Sequence, residues 1–258
     1  MHVKKYALLF SLALILASII SLLLHGGLNY GIDFTGGTIV QVKFNKPTTA
    51  GDIRGAVKDF ETVLIQRFGP VENHEFLLRM AQSSPDIEGL SEKMRDVLQQ
   101  HFGKDSLEIR RVEMVGPKVG KDLQRKGVMA IVYALGGILI YIAWRFEFKY
   151  AIGAILALVH DVIITVGAFS LTNREVSLAV VAAILTIIGY SLNDTIVVYD
   201  RIRENLRRRR REAYQGVINR AINETLSRTT LTALTTLFVV IALFILGGAI
   251  INDFAFAL

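Results

Sequence analysis

The sequence predicts an α-helical polytopic membrane bundle carrying an exported α+β domain between its first two helices. Three observations lead there. Five apolar runs of membrane-spanning length are separated by polar stretches. One polar stretch, residues 30–120, is long enough for a domain of its own and alternates strand and helix patterns. Basic residues gather at alternate ends of the apolar runs. Bulk composition decides less: 52% of the 258 residues are hydrophobic, against about 45–50% in a soluble domain. The excess is modest, so the distribution carries the argument.

The first apolar run spans 7–24, after Lys4 and Lys5. A secretory signal begins the same way, but this run has no helix breaker and no small-residue cleavage pattern follows it. His25, Gly26 and Gly27 come next. It reads as a retained transmembrane helix.

Residues 30–120 then read as β-α-β-β-α-β. Strand patterns cover 38–44, 63–68, 74–80 and 107–115, with Gly69-Pro70 opening a turn between the second and third. Helical spacing covers 48–60 (Ile53, Val57, Phe60) and 86–102 (Leu90, Met94, Val97, Leu98). That order is the ferredoxin-like arrangement. Gly36-Gly37, beside Asp33 just beyond the first helix, signals a tight turn on the exported side.

Four further apolar runs follow at 128–144, 151–171, 177–199 and 229–251, and the residues to Leu258 look like the start of another. The segment 200–227 between the last two long runs reads as a basic loop. Lys4 and Lys5, Arg145 and Lys149, and Arg201, Arg203 and 207–211 all fall on one side of this plan. Under the positive-inside rule that side is the cytoplasm, and 30–120 lies outside. The Arg run is most simply a topology signal, with contact to anionic lipid or a cytoplasmic partner as the other reading.

The net charge of +6 is concentrated there, rather than spread over a surface suited to nucleic acid. Cysteine is absent, so neither a disulfide framework nor a thiolate metal site is available. No metal and no cofactor is expected.

Two acids lie inside apolar runs. A charge at mid-bilayer costs about 2.5–3.5 kcal/mol on insertion scales, so such residues face a bundle interior or a wet cavity. Asp194 follows Asn193 and shares a helical face with Tyr190 and Arg201. Arg228 opens the next apolar run on the same side, which makes an Asp194–Arg228 pair across two helices reasonable. Thr232 and Thr235 continue a polar stripe from Arg228 toward the membrane centre. These groups suit a proton relay. They equally suit a structural ion pair, with the threonines bonding their own backbone. Asp161, midway along its run beside His160, suits either proton movement or a helix–helix hydrogen bond.

The motifs resemble those of SecF-type members of the SecD/SecF protein-export family, in the RND superfamily. Tyr30-Gly31-Ile32-Asp33-Phe34-Thr35-Gly36-Gly37 is similar to the segment after the first helix in that family. The stretch 187–205, containing Gly189-Tyr190-Ser191-Leu192-Asn193-Asp194 and Asp200-Arg201, resembles the SecF fourth-helix signature. Residues 221–229, ending Ser227-Arg228-Thr229, resemble the approach to the fifth helix, and Val159-His160-Asp161-Val162 fits the third. The resemblance runs along essentially the whole chain.

It implies a six-helix membrane plan whose sixth helix lies almost wholly beyond Leu258. It also implies pairing with SecD, work beside the SecYEG channel on a translocating preprotein, and use of the proton motive force to assist export across the cytoplasmic (inner) membrane. It implies roles in proton passage for Asp194 and Arg228.

Three other classes fit parts of the pattern. An intramembrane aspartyl protease would pair two acids, but the chain has no Gly-x-Gly-Asp and Asp200 sits at the edge of its run. Half of an RND small-molecule exporter needs a larger exported domain. A passive scaffold that stabilises the translocon moves no protons. No enzymatic activity is expected.

Overall fold

The computed structural model describes residues 4–58, 60, 63–69, 71–80, 87–104, 106–208 and 212–258. The chain divides into two compact units: residues 1–29 with 128–258, and residues 30–127.

The helical unit contains α1 (Lys4–Leu24), most of α5 (Pro117–Arg145), α6 (Phe148–Leu171), α7 (Leu178–Arg208), α8 (Tyr214–Leu246) and α9 (Gly248–Ala257). Helices α1, α5, α6, α7 and α8 are long and apolar enough to cross a membrane. Large apolar side chains stand outward along them, among them Leu8, Leu9 and Phe10 of α1 and Leu231, Phe238 and Ile245 of α8. Water does not tolerate so continuous an apolar surface, but lipid does. The chain is a membrane protein.

The helices extend past the apolar runs. Residues 200–208 and 214–227, read from the sequence as a loop, are helical. The extra turns of α7 are rich in charge, and helix-spaced ion pairs hold them: Glu204 accepts from Arg201 at 2.7 Å and Arg208 at 2.8 Å. Those of α8 bury Val217 and Ala221. Part of the Arg run, 209–211, lies outside the described residues.

The run 229–251 is also not one helix. It breaks where α8 ends, Gly247 N–H bonding the Leu243 carbonyl at 2.8 Å and Gly248 turning to φ +70°. A Cβ on Gly247 would lie 2.4 Å from that same carbonyl oxygen. The glycine pair lets α9 restart and fold back onto α7 and α8.

The second unit has α2 (Ile32–Thr35), β2 (Gly37–Phe44), α3 (Ala50–Ala56), β3 (Val63–Phe68), β4 (Glu75–Met80), α4 (Ile87–Phe102) and β5 (Leu107–Val115). Two-residue strands β1 (Asn29–Tyr30) and β6 (Glu175–Val176) and a 3-10 turn at Val71–Asn73 complete the element order. The expected β-α-β-β-α-β succession is present, in an antiparallel sheet ordered β3-β4-β2-β5. The two outer strands thus belong to opposite halves of this unit, as in ferredoxin-like domains.

Alternation does the rest. On β2, Val40, Val42 and Phe44 point inward, opposite Leu78 and Phe76 of β4, and Ile53, Met94 and Leu98 of the two helices cover them. Helix α3 is shorter than the 48–60 spacing suggests. It starts at a Thr49–Asp52 capping box and stops at Val57. The expected helix start at Asp86 and the turn residue Pro70 lie outside the described residues.

Candidate functional site

The predicted site residues sit at three places. At the turn after α2, Gly36 and Gly37 adopt φ of +76° and +128°. A Cβ on Gly37 would come 2.5 Å from the Met80 carbonyl oxygen, and one on Gly36 would come 2.8 Å from the Pro117 Cα. Gly120 answers from α5, where a Cβ would meet the Phe34 carbonyl at 2.8 Å. Backbone therefore packs directly on backbone between residues 34–37 and the first turn of α5, which only glycine allows. Asp33 lies in the first turn of α2, at its N-terminal end.

The second place is the groove between α7 and α8. Asp194 stands about 24 Å along α7 from Leu178 at 1.5 Å per residue, well inside a membrane-spanning length. It lines an opening of about 410 Å³ with Thr229, Thr230, Ala233, Leu234 and Leu237. Among the described residues its carboxyl has no hydrogen-bond or ion-pair partner.

Arg228 lines a separate opening of about 440 Å³ with Val197, Asp200, Arg201, Glu204, Glu224 and Thr225. The expected Asp194–Arg228 ion pair is not formed. The two groups open into successive cavities of the same groove, the guanidinium on the charged side. A long basic side chain gains from water at a helix end, and this one shares its opening with three acids.

Thr232 and Thr235 line neither opening, and their hydroxyls serve their own helix. Thr232 Oγ1 donates to the Arg228 carbonyl at 3.1 Å and the Thr229 carbonyl at 2.9 Å, and Thr235 repeats the pattern one turn on. Each hydroxyl oxygen keeps lone pairs free to accept. Asn193 is exposed, about 100° around α7 from Asp194, so it does not share that opening.

Arg201 was placed with Asp194 by helical spacing. Instead it donates to Glu224 Oε2 at 2.6 Å and Glu204 Oε2 at 2.7 Å, and buried Asn205 donates to the same Glu224 oxygen at 2.8 Å. Glu224 is thus the link that joins α7 to α8 on the charged side. Sequence reading did not single it out. The usable signal was the row Arg201, Glu204, Asn205 facing a lone acid early in α8.

The third place surrounds Asp161. Its Oδ1 meets His160 Nδ1 at 2.9 Å and its Oδ2 accepts from Ser191 Oγ of α7 at 2.7 Å. The helix–helix hydrogen bond weighed from sequence exists, and His160 is the basic neighbour at matching depth.

Comparison with known proteins places this architecture. Residues 94–258 match the model of the protein export membrane protein SecD/SecF, C-terminal family, and residues 21–48 match the SecD/SecF GG motif. A protein translocase subunit SecF from Magnetococcus marinus is 50% identical over 99% of this chain and 83% of its own length. The one from Vibrio alginolyticus is 47% identical over 100% of this chain and 82% of its own.

The crystal structure of SecDF, a translocon-associated membrane protein, from Thermus thermophilus superposes with a TM-score of 0.86 at 37% identity. It covers 100% of this chain, which spans only 35% of that longer one. SecDF in its super-membrane-facing form gives 0.69 at the same identity. The chain belongs to the SecD/SecF family of protein export membrane proteins, on the SecF side.

Proposed function

We propose that this chain is an accessory subunit of the Sec translocase that uses the proton motive force to assist protein export across the cytoplasmic membrane. Asp194, Arg228, Asn193, Thr232 and Asp161 form its proton-relay set. It works with SecD, beside SecYEG, on the translocating preprotein. The N-terminus is cytoplasmic and residues 30–120 lie on the outer side, as the placement of Arg and Lys supports.

One observation carries the reading. Asp194 sits deep in α7, lines an opening, and lacks a partner among the described residues. A charge left unpaired at that depth costs about 2.5–3.5 kcal/mol, and protonation removes the cost. The carboxyl therefore has two states whose energies differ strongly with its surroundings. Moving one charge through 100 mV supplies about 2.3 kcal/mol, enough to bias a two-state element. Hydroxyl acceptors at Thr229 and Thr230 line the same opening, and Arg228 lies in the next cavity toward the charged side. With the charge removed, the opening beside Asp194 no longer needs to stay wet, and α7 and α8 repack over it.

The test is Asp194→Asn in the SecD-paired protein. Proton flux into vesicles and gradient-dependent secretion are both lost, while expression and SecD binding persist. Full secretion by that variant under a gradient overturns the proposal. Lost secretion with unchanged proton flux favours the passive-scaffold reading.

A further inference from the structure

A polar chain crosses the helical unit at one level. Ser11 Oγ of α1 lies 2.6 Å from His160 Nε2, His160 Nδ1 lies 2.9 Å from Asp161 Oδ1, and Ser191 Oγ of α7 lies 2.7 Å from Asp161 Oδ2. Adjacent residues of α6 thus engage a helix on either side. The His160 and Asp161 side chains are 33% and 32% exposed.

With Asp161 ionised, the hydrogens are assigned by elimination. A carboxylate only accepts, so Nδ1 carries a hydrogen, Nε2 accepts from Ser11, and Ser191 donates to Oδ2. Adding one proton gives His160 a second N–H, at Nε2. Ser11 then turns its hydroxyl from donor to acceptor, and each of the three bonds survives. No bond between heavy atoms forms or breaks. The cluster passes from net −1 to net zero, the favoured direction in a medium of low polarity.

We infer that His160 and Asp161 form a proton-binding site, separate from Asp194, that takes up one proton while tying α1 to α7 through α6. This deepens the relay reading at Asp161 by naming the group that receives the proton.

The other groups around it are few. On α7, Tyr190 has its hydroxyl buried without a hydrogen-bond partner, and Asp194 lines the opening toward α8. On α1, Lys4, Lys5 and Tyr6 precede Ser11 by more than a helical turn, and His25 lies at the far end. The Ser–His–Asp order also matches an acyl-transfer triad. All three residues are mid-helix, however, where backbone N–H groups are committed to helix bonds and leave no oxyanion hole.

The experiment is nitrogen NMR of the full chain in lipid nanodiscs with labelled histidine, its five histidines assigned with H160Q. In the wild type, His160 passes once and reversibly from one N–H to two as the pH falls across the range the fold tolerates. Asp161→Asn moves that midpoint and leaves the other histidines in place. Ser11→Ala changes the Nε2 signal. A His160 ring that keeps one protonation state across the range in the wild type overturns the inference, whatever the variants do. So does a midpoint unmoved by Asp161→Asn. Asp194→Asn leaves the His160 step intact, so this site and the Asp194 reading fail independently.

Discussion

Gly167 of α6 and Ser18 of α1 are in such close contact that a Cβ at position 167 would lie 1.9 Å from the Ser18 Oγ. One turn further on, Ser21 and Ser170 share a buried hydrogen bond of 2.8 Å. In lipid, apolar surface gains nothing by leaving one hydrocarbon for another, so helices associate through small residues that permit close packing. The α1–α6 contact is built that way, and it brings Ser11 to His160.

Gly167→Val should therefore force the two helices apart. Overpacking of this kind costs about 1–3 kcal/mol. Unfolding in mixed micelles should show a loss in that range, and the Ser11–His160 contact should weaken with it. A variant as stable as the wild type contradicts the tight contact.

The Glu224 link predicts a second outcome. Glu224→Ala leaves Arg201 with Glu204 alone and strips buried Asn205 of its acceptor. The cluster is open to solvent, so overall stability changes little and the local link is what weakens. Cross-linking between α7 and α8 on the charged side should become less efficient, while α1–α6 cross-links stay unchanged.

Arg174 pins the second half of α9. It donates to Asp253 at 2.5 Å and Asn252 at 2.8 Å, and lies 4.3 Å over the Phe256 ring. Phe256 in turn packs edge-on against Phe169 at 5.3 Å. Arg174→Ala should loosen α9 at a cost of about 1–3 kcal/mol. Hydrogen exchange at the α9 amides should rise well before that of α6. Arg174→Lys should rescue only part, because it keeps the charge and loses the planar stack.

The α3 cap carries a pH signature. The Thr49 hydroxyl, and then the Thr49 backbone N–H, hold the Asp52 carboxyl below its ordinary value of 3.8. A folded value below the unfolded one gives a contribution that is complete above the unfolded value and lost as pH falls through the lowered one. Protection factors of the α3 amides should thus hold from neutral pH to about pH 4 and decline only in stronger acid. Thr49→Ala should cost about 1 kcal/mol at neutral pH. Asp52→Asn should flatten the acid decline.

Most of the fold was legible in the residue order. Run length identified the five spanning helices, and alternation identified the four strands of the small domain, because both periods are set by backbone geometry. Boundaries were less legible. The charged turns at 200–208 stay helical through their ion pairs, those at 214–227 through the short buried row Val217, Ala221 and Thr225, and the Gly247–Gly248 break hid inside an apolar run.

The choice of partners was decided in three dimensions. Helical spacing put Asp194 and Arg201 on one face, but Arg201 turns to Glu224, 23 residues away, and His160 meets Ser11 from 149 residues away. A membrane helix is apolar on nearly every side, so its pattern does not record which face meets which neighbour. Close contacts such as Gly167 on Ser18 set the rotation of each helix, and that rotation determines which polar groups meet.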